Sequence, residues 1–371
     1  MFLHAPVFGK TREMFLFRSY DKATIWEQRN LVLLSAELGA EVFLWECMGL
    51  NPSYVQILQR DWMRDDISTL TNTYPDHEDV QGPAGINIPQ AMTRFIPEHA
   101  LLLSSEEEMS PILHEAASRL QTEVRNVGWL EAGLLTPDVL GRFPYDEHPY
   151  NIALVLSLAD ELGVERDYAL KAMADHVVPD LGVLKTSPPA PLDGRRIQFS
   201  NGMSANERHG CLSNWRRLGL DQVTREAHPG TWVCTVVNNR ADRIPRSQVF
   251  AEIMVNDIRV DRHFLIGNNL TGLLGYIREA WEESAARLTL WPEQGTSAPV
   301  ESLHNEARRL RCPTSFDQIH VTLRGLLASL LPSQTDRIDS ILSGNETADQ
   351  LELALQSTEL TPEQISALKR Y

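Results

Sequence analysis

A compact group of metal-binding residue types follows the apolar stretch 66–71. Asp76 and His77 are adjacent in the sequence TNTYPDHED, and Glu46 ends an earlier apolar stretch. Carboxylate oxygens suit Mg²⁺, and an imidazole nitrogen can complete such a site. The pattern therefore predicts a metal site formed by Glu46 and His77, with Asp76 beside it. Taken singly, such a glutamate is more often a salt-bridge partner, and a lone histidine more often bonds a backbone carbonyl.

Amide and guanidinium side chains form a second set of candidate binding residues. Asn72 and Asn206 have the hydrogen-bonding groups to bind a phosphate or a base edge, although asparagine is also common in turns. Arg240 and Arg243, in the sequence NNRADRIPR, can hold a carboxylate or a phosphate through paired hydrogen bonds. The alternative for these arginines is surface ion pairing with Asp242 and Asp257.

The composition limits the class of ligand. The chain has 371 residues, a formal net charge of −16 and a sequence pI near 5.1. Nucleic-acid binding requires a basic surface, so this charge argues against nucleic acid as a partner. An anionic small molecule would need a locally basic site, which the arginines of NNRADRIPR provide. The four cysteines are scattered without metal-binding spacing, and we expect them to be reduced thiols.

Strands and helices alternate through the first half of the chain, which predicts a parallel sheet with helices on both faces. The predicted strands are 41–47, 66–71 and 100–104. The predicted helices are 22–38 with Gly39 as its cap, 89–97, one that starts at the acidic residues 106–108, 148–163 and 165–177. The expected fold class of this half is therefore α/β.

The alternation resumes after a proline-rich segment at 178–194, which we interpret as a domain boundary. The predicted strands there are 195–201, 232–239 and 262–269, and the predicted helices are 209–218, 247–254 and 272–283. From about residue 300 the pattern is only helical, with capping boxes at Thr347 and Thr361. The expected domains are a central parallel-sheet domain at 1–178, a smaller α/β domain at 179–295 and a helical tail at 296–371.

Several candidate residues are predicted to follow the carboxyl ends of strands. They are Glu46 after EVFLW (41–45), Asp76 and His77 after 66–71, residues 201–206 after RRIQFS (195–200), and Arg240, Asp242 and Arg243 after 232–239. Open parallel sheets bind ligands outside the carboxyl ends of their strands. The pattern predicts a binding cleft between two α/β units, and it does not by itself specify a reaction.

Four segments of the chain, in order, resemble the ligase subunit of capsular poly-γ-glutamate synthase, a branch of the Mur ligase family. They are ECMGLNP, TNTYPDHEDVQGP, FSNGMSANE and NNRADRIPRSQVFAE, within a resemblance that covers roughly residues 1–275. The family has a central nucleotide-binding domain followed by a small Rossmann-like domain. Its members use ATP to convert a carboxylate into an acyl phosphate, from which an amine displaces phosphate. The resemblance therefore implies γ-glutamyl amide formation, with ATP and Mg²⁺ as cofactors.

The resemblance also implies a role for each matched residue. The implied roles are Mg²⁺ binding for Glu46 and His77, with Asp76 in the same motif; nucleotide binding for Asn72, Asn151, Lys185 and Asn206; and substrate binding for Arg240, Asp242 and Arg243. Lys185 stands where the family usually has an arginine, which keeps the positive charge and loses the planar guanidinium. The segment with Arg240 marks the polyglutamate branch, and binding of glutamate carboxylates is our inference from the chemistry of its arginines.

The chain departs from the family pattern at two places. The family's phosphate-binding loop, G-x-x-G-K-S/T, lies upstream of the segment matching VFGKT and has no counterpart here, and its last strand and GNIHG-like loop have no match after residue 290. The first interpretation is an ATP-dependent ligase present as an incomplete, truncated chain. A wrong start codon, a second polypeptide that carries the phosphate loop, or gene decay would each explain why the loop is missing. The alternatives are a non-catalytic relative that binds nucleotide, glutamate or a partner subunit, and a Mur-type ligase for another amino acid.

The resemblance implies partners and a location as well. Glutamate or a growing poly-γ-glutamate chain would be the substrate. Membrane subunits of a synthase, the missing phosphate-loop half or further copies of the chain would be the partners. The sequence has no signal peptide and no apolar run near the ~20 residues that a membrane span needs. We therefore expect a cytoplasmic protein. The resemblance implies a peripheral location at the inner face of the membrane, beside the membrane subunits.

Overall fold

The chain divides into two compact units, which comprise residues 1–185 and 186–371. The division falls inside the proline-rich segment 178–194. The structure, a computed structural model, describes residues 2–7, 10–15, 24–47, 49, 51–75, 78–82, 85–179, 181–192, 194–228, 230–287, 299–344 and 347–368. No helix within these ranges is long and apolar enough to cross a lipid bilayer.

Unit 1 (residues 1–185) combines a hairpin, a parallel sheet and helices. The strands described there are β1 (Phe2–Val7), β2 (Lys10–Phe15), β3 (Ile67–Leu70), β4 (Leu101–Ser104) and β5 (Glu123–Asn126). The helices described there are α1 (Ile25–Glu37), α2 (Pro52–Gln56), α3 (Glu78–Gln81), α4 (Asn87–Met92), α5 (Ser110–Arg119), α6 (Trp129–Gly133), α7 (Pro137–Leu140), α8 (Pro149–Glu161) and α9 (Arg166–His176). A π-helical segment extends α2 over Ile57–Met63, and a 3₁₀-helical turn extends α4 over Thr93–Phe95.

The predicted parallel sheet is confirmed as β3–β4–β5, with β4 in the centre. Successive side chains of a strand point to opposite faces of the sheet. Leu102 of β4 packs in one buried cluster with Leu113 of α5, whereas Leu103 packs in another with Ala153 of α8. Helices therefore cover both faces of β4, which is why its sequence is a continuous apolar run rather than an alternating one.

The helices predicted at 22–38, 89–97, 148–163 and 165–177 are confirmed to within a few residues. Gly39 has a φ of +68° directly after α1, a left-handed conformation that glycine adopts without strain at the end of a helix. The helix start predicted at residues 106–108 is wrong, because α5 begins at Ser110. The strand β5 was missed by the sequence patterns, since only Val124 and Val127 are apolar in its neighbourhood.

The strand predicted at 41–47 is wrong. No strand is described over these residues, and Val42 and Leu44 are 70% and 85% exposed. An extended segment becomes a strand only when a neighbouring strand satisfies its backbone groups. In the described sheet β3 pairs with β4 alone, so 41–47 has no such neighbour there. Glu46 consequently lies on an exposed irregular segment and not at the end of a strand.

Unit 2 (residues 186–371) begins within β6. Its strands are β6 (Lys185–Thr186), β7 (Ala190–Leu192), β8 (Arg195–Ile197), β9 (Ser200–Asn201), β10 (Cys234–Asn239) and β11 (Arg262–Gly267). Its described helices are α10 (Arg208–Arg217), α11 (Ile244–Glu252), α12 (Leu270–Ala286), α13 (Pro299–Arg309), α14 (Phe316–Leu330), α15 (Thr335–Ser343), α16 (Ala348–Leu355) and α17 (Pro362–Leu368). Shorter helical turns lie at Leu220–Gln222, Ile253–Asp257 and Pro332–Gln334.

The strands β10 and β11 form a parallel pair, as predicted, and run in register from Cys234 opposite Arg262 to Asn239 opposite Gly267. The helices α11 and α12 pack against each other. Their packing buries Leu273 completely, at 0% exposure. The parallel pairing places the carboxyl ends of both strands at the same edge.

The single strand predicted at 195–201 is wrong. The segment forms β8 and β9, and β8 turns back to pair antiparallel with β7. β9 pairs with β6 instead, and the hydroxyls of Thr186 on β6 and Ser200 on β9 are 2.9 Å apart. The alternating apolar residues that suggested one strand are exposed on this hairpin, with Ile197 53% exposed.

The helices after residue 300 are confirmed. Leu327 of α14, Ile338 of α15 and Leu355 of α16 belong to one buried cluster. Both predicted capping boxes are present: Thr347 Oγ1 accepts a hydrogen bond from Gln350 N–H at 3.3 Å, and Thr361 and Gln364 make the same bond at 3.3 Å. These helices therefore have a hydrophobic core of their own.

A buried charge cluster connects this helical region to the β10–β11 sheet. The Asp261 carboxylate accepts hydrogen bonds from Arg225 at 2.7 Å, from Arg311 at 3.1 Å and from Val233 N–H at 2.8 Å. Arg225 also donates to the hydroxyl of Thr322, on α14, at 3.1 Å. One carboxylate thus neutralises two guanidinium groups that the fold brings together from distant parts of the sequence.

Candidate functional site at the carboxyl ends of the parallel strands

The loop after β3 carries Asn72, the first candidate residue of unit 1. Asn72 is half-buried, and its Oδ1 accepts a hydrogen bond from Tyr74 N–H at 3.1 Å. This bond closes an asparagine turn, in which the amide oxygen is the acceptor. Asp76 and His77, which follow Tyr74 by two and three residues, lie outside the described residues, so the structure does not test them.

Glu106, after β4, is a site residue that the sequence patterns missed. It is only 4% exposed, and its Oε2 accepts hydrogen bonds from Thr73 N–H at 2.6 Å and from the Thr73 hydroxyl at 2.8 Å. Its Oε1 accepts from Met109 N–H at 2.9 Å. A buried carboxylate needs such donors because it has lost its water. Glu106 thereby fixes the residue next to Asn72.

Glu107 connects the loop after β5 to the start of α8. Its Oε1 accepts hydrogen bonds from Trp129 N–H at 2.7 Å and from the Tyr150 hydroxyl at 3.3 Å. Burial, and to a lesser extent the Glu107 charge, raises the pKa of Tyr150, so the phenol keeps its proton. The Trp129 side chain is 71% exposed, and the rings of His148 and Tyr150 are 5.4 Å apart. One exposed ring, Trp129, and a half-buried ring pair, His148 and Tyr150, are therefore connected through Glu107 in this region.

Asn151 lies in the first turn of α8, beside this aromatic group. Its Nδ2 donates to Glu147 Oε1 at 2.9 Å, and the same carboxylate accepts from His148 N–H at 2.7 Å and from the Tyr145 hydroxyl at 2.6 Å. Asn151 is exposed, so its side chain is accessible to a ligand. Planar aromatic rings with amide groups beside them suit a planar, hydrogen-bonding ligand such as a nucleobase.

The metal site predicted from Glu46 and His77 stays a prediction. Within the described ranges no group of three or more His, Cys, Asp or Glu residues is arranged to hold a metal ion. Glu46 is exposed on the irregular segment 41–47. Asp76 and His77 lie outside the described residues, so the structure does not test their part in the site.

The loop at residues 240–243, which we term the arginine loop, follows β10 in unit 2. Arg240 binds Asp242 through two hydrogen bonds, from Nε to Oδ1 at 3.0 Å and from an Nη to Oδ2 at 2.7 Å. Arg243 Nε lies 3.8 Å from the same Asp242 Oδ2. The hydrogen bond from Arg240 holds the pKa of Asp242 below its usual value, so Asp242 is ionised at neutral pH. Of the two aspartates in the surface ion-pair alternative, Asp242 thus pairs with these arginines, whereas Asp257 pairs with Arg208 at 2.6 Å.

The remaining candidates of the sequence lie on exposed loops. Asn206 donates from Nδ2 to the carbonyl of Ser204 at 3.1 Å, and Lys185 is exposed at the start of β6. Asn201 closes its own turn by accepting a hydrogen bond from Met203 N–H at 3.1 Å. These contacts are local, and the implied nucleotide-binding roles of Asn206 and Lys185 stay predictions.

Asn239, the last residue of β10, was also missed. It is 6% exposed, and its Oδ1 accepts a hydrogen bond from the Ser247 hydroxyl at 2.7 Å. Its Nδ2 donates to the carbonyl of Asn268 at 2.8 Å. Gly267, with a φ of +96°, allows this close approach, because a Cβ there would lie 2.2 Å from the Asn239 carbonyl oxygen. The Gly-Asn pair at 267–268 was a detectable signal for this loop.

Thiol chemistry is unfavourable at two of the four cysteines. Burial raises the pKa of Cys47 and of Cys211 to about 11, whereas Cys234 and Cys312 are exposed. Only the thiolate reacts with alkylating reagents, and a raised pKa lowers its fraction at pH 8. We expect iodoacetamide at pH 8 to modify Cys312 well before Cys47 and Cys211, and the rates at the latter two to rise steadily toward pH 11. Mass spectrometry of tryptic peptides measures this order.

The same labelling in urea is the control for that prediction. Unfolding exposes every thiol, so the four cysteines should then react at similar rates. Equal rates at Cys312 and Cys211 in the native protein would contradict the burial of Cys211 seen here.

Comparison with known proteins finds one matching family model and two similar bacterial proteins. Residues 188–320 match the family model of the poly-gamma-glutamate synthase CapB C-terminal domain. PGA synthase CapB of Bacillus subtilis (strain 168) is 30% identical over 263 residues, which cover 70% of this chain and 62% of that protein. The capsule biosynthesis protein CapB of Bacillus anthracis is 28% identical over 250 residues, which cover 67% of this chain and 52% of that protein.

The chain thus spans less than two thirds of the length of either relative. No solved structure matches it. The matched domain contains the arginine loop and continues through α13 into α14, past the residue where the helical tail was predicted to begin. These similarities support a relationship to the poly-γ-glutamate synthesis family.

Proposed function

We propose that this chain takes part in poly-γ-glutamate synthesis as an ATP-dependent acid–amino-acid ligase. The observation that carries the proposal is the position of the arginine loop. Its guanidinium groups lie at the carboxyl edge of a parallel strand pair, inside the region that matches the CapB C-terminal domain. An acidic protein that handles an anionic polymer needs a locally basic site of this kind.

The proposed reaction forms one amide bond for each ATP consumed. A γ-carboxylate oxygen attacks the terminal phosphorus of ATP, which releases ADP and yields an acyl phosphate. The uncharged amine of the next glutamate then attacks the acyl carbon, the bond to the phosphate oxygen breaks, and inorganic phosphate leaves. The amine loses one proton to solvent. Mg²⁺ would neutralise charge on the transferring phosphoryl group.

The arginine loop would bind the carboxylates of glutamate. The pair of Arg240 with Asp242 is exposed, at 63% and 59% for the two side chains, and such pairs contribute little net stability. A substrate carboxylate can therefore displace Asp242 from Arg240 and form the same two-pronged contact. Asp242 would then be placed to attract the ammonium group of the incoming amino acid. Arg243 would add a second positive charge.

The carboxyl edge of β3–β4–β5 would bind the nucleotide. Asn72 and Asn151 offer amide groups there, and Trp129 offers an exposed aromatic face for the base. The nucleotide-binding roles of Lys185 and Asn206 rest on the family resemblance alone. Glu46, His77 and Asp76 would hold Mg²⁺, and this part of the proposal rests on the family resemblance alone. Membrane synthase subunits or further copies of this chain are the partners we propose.

The test is turnover by the full chain with ATP, Mg²⁺, glutamate and a γ-glutamyl oligomer. We expect ADP release that depends on glutamate, together with oligomers that grow by one residue in mass spectra. Arg243→Ala should raise the KM for glutamate by about 10- to 100-fold, because a charged hydrogen bond to the carboxylate is lost. Arg324→Ala is the matched control, since Arg324 forms an exposed ion pair with Asp339 on distant helices.

The outcomes of this experiment separate the proposed ligase from its alternative. Binding of γ-glutamyl oligomers or ATP without ADP release would indicate a non-catalytic, ligand-binding relative. Growth with an amino acid other than glutamate would indicate a different ligase. An unchanged KM for glutamate in Arg243→Ala would remove the arginine loop from the substrate site.

A further inference from the structure

Asn239 joins two loops through a buried side chain whose hydrogen-bonding groups all have partners. Its Nδ2 donates to the carbonyls of Asn268 and Asn269 at 2.8 and 3.3 Å. Its Oδ1 accepts from the Ser247 hydroxyl at 2.7 Å. Because both amide hydrogens and the amide oxygen are engaged within the protein, this side chain is suited to holding structure rather than to binding a ligand.

The first loop that Asn239 fixes is the arginine loop. Asn239 directly precedes Arg240, and Ser247 lies one turn inside α11, which begins just after Arg243. Ser247 N–H donates to the Arg243 carbonyl at 3.1 Å, and the Ser247 hydroxyl lies 3.2 Å from the same carbonyl. The bond between Asn239 and Ser247 therefore closes the arginine loop from both of its ends.

The second loop, residues 268–269, precedes α12 and will be termed the asparagine loop. Asn268 N–H donates to the Asn239 carbonyl at 2.9 Å, so the two residues are joined by a backbone bond and a side-chain bond. Asn269 adopts a left-handed conformation, with a φ of +54°, which few residue types tolerate. The side chain of Asn239 donates to its carbonyl at 3.3 Å and helps to hold this turn.

We infer that Asn239 is a positioning residue that holds the arginine loop in its substrate-binding geometry against the asparagine loop, with Ser247 as its partner. The inference rests on the proposed function, which assigns glutamate binding to the arginine loop. The physical reason is geometric. A guanidinium group forms two parallel hydrogen bonds to a carboxylate in only one orientation, so a small movement of the loop would weaken substrate binding. Holding the loop before the substrate arrives avoids the entropy loss of ordering it on binding.

The test uses two neutral substitutions, because a new charge beside the arginines would itself change anion binding. Ser247→Ala removes the donor to Asn239, and Asn239→Ala removes all of the side-chain bonds. We measure the Kd of the full chain for the dipeptide γ-glutamylglutamate by titration calorimetry. We expect Ser247→Ala to weaken binding about fivefold and Asn239→Ala about tenfold or more. Ser247→Thr keeps the hydroxyl and should restore the wild-type Kd.

Amide hydrogen exchange provides the readout that does not depend on the ligand. In both alanine variants the amides of the arginine loop and of the asparagine loop should exchange faster than in the wild type. Asn256→Ala is the matched control, because Asn256 Nδ2 bonds only Glu252, one turn earlier, at 2.6 Å among the contacts described for it. That variant should retain the wild-type Kd and the wild-type exchange of both loops.

The two failures are distinguishable. If the wild-type chain does not bind the dipeptide, the glutamate-binding role of the arginine loop fails, and exchange alone decides the positioning role. If amide hydrogen exchange in both loops is the same in the alanine variants as in the wild type, Asn239 does not position the arginine loop, whatever Kd is measured for the dipeptide. A wild-type Kd in Ser247→Ala and Asn239→Ala overturns it as well. If Asn239→Ala does not fold, Ser247→Ala and its threonine rescue still decide the question.

Discussion

Asp261→Asn is expected to lower the free energy of unfolding by about 3 to 5 kcal/mol. The substitution keeps the shape of the side chain and removes the negative charge that Arg225 and Arg311 share. The side chains of Asp261 and Arg311 are only 1% and 3% exposed, so water cannot replace the lost charge. Two guanidinium groups would then be left in a buried site with no neutralising carboxylate described beside them.

The amide of the variant also fits the site less well. Asp261 Oδ2 accepts from Arg311 and from Val233 N–H, and Oδ1 accepts from Arg225. An asparagine has one oxygen, so its NH₂ group would face either a guanidinium or the Val233 N–H. Urea denaturation measures the loss of stability. Hydrogen exchange of peptides from residues 223–262 and 305–325 assigns it to unit 2.

Asp339→Asn is the matched control for this prediction. Asp339 pairs with Arg324 at 2.8 Å in the same unit, but the two side chains are 63% and 64% exposed. An exposed pair contributes at most about 1 kcal/mol, so we expect a change within that range. If both substitutions changed the unfolding free energy equally, burial would not be the cause of the effect, and the argument for the Asp261 cluster would be wrong.

Glu106→Gln is expected to lower the free energy of unfolding by about 2 to 3 kcal/mol. The carboxylate accepts hydrogen bonds from Thr73 N–H, the Thr73 hydroxyl and Met109 N–H. The glutamine NH₂ group can accept none of them, so it leaves a buried N–H facing another donor. Urea denaturation followed by far-UV circular dichroism measures the loss of unfolding free energy. Faster amide hydrogen exchange in the peptide that contains residues 71–75 would show that the loop after β3 is affected.

A second effect of Glu106→Gln is expected on nucleotide binding. Thr73 follows Asn72, so releasing Thr73 loosens the loop that the proposed function places at the nucleotide. The Kd for ATP should rise by about tenfold, measured by titration under conditions where the variant is folded. Glu108→Gln is the control, since Glu108 lies in the same loop and is exposed. A normal ATP affinity in a destabilised Glu106→Gln would restrict Glu106 to a structural role.

Much of the architecture is readable from local patterns. The apolar run LLLS identifies β4, and the run before Thr71 identifies β3, because a strand covered by helices on both faces is apolar throughout. Thr347 and Thr361 identify helix starts, since a capping box is completed within four residues of sequence. Such features depend on neighbours in the chain, and the sequence displays them directly.

Two elements show where local patterns are insufficient. Residues 41–47 have the composition of a buried strand but form an irregular segment with Val42 and Leu44 exposed, while β5 has a polar sequence and is a strand. The difference lies in pairing, because β5 has β4 beside it and 41–47 has no described strand beside it. The backbone bonds that define a strand come from a neighbouring strand that is distant in sequence, and composition does not report them.

The same division holds for the functional residues. The sequence by itself placed Asn72, Arg240 and Arg243 after strands, because strand ends and polar residues are both local features. Only the tertiary structure revealed Glu106 and Asn239, whose partners lie 33 and 29 residues away. Their chemistry resembles that of any surface residue until the fold removes water from them. Burial and long-range hydrogen bonding give these side chains their roles, and both arise only when the chain has folded.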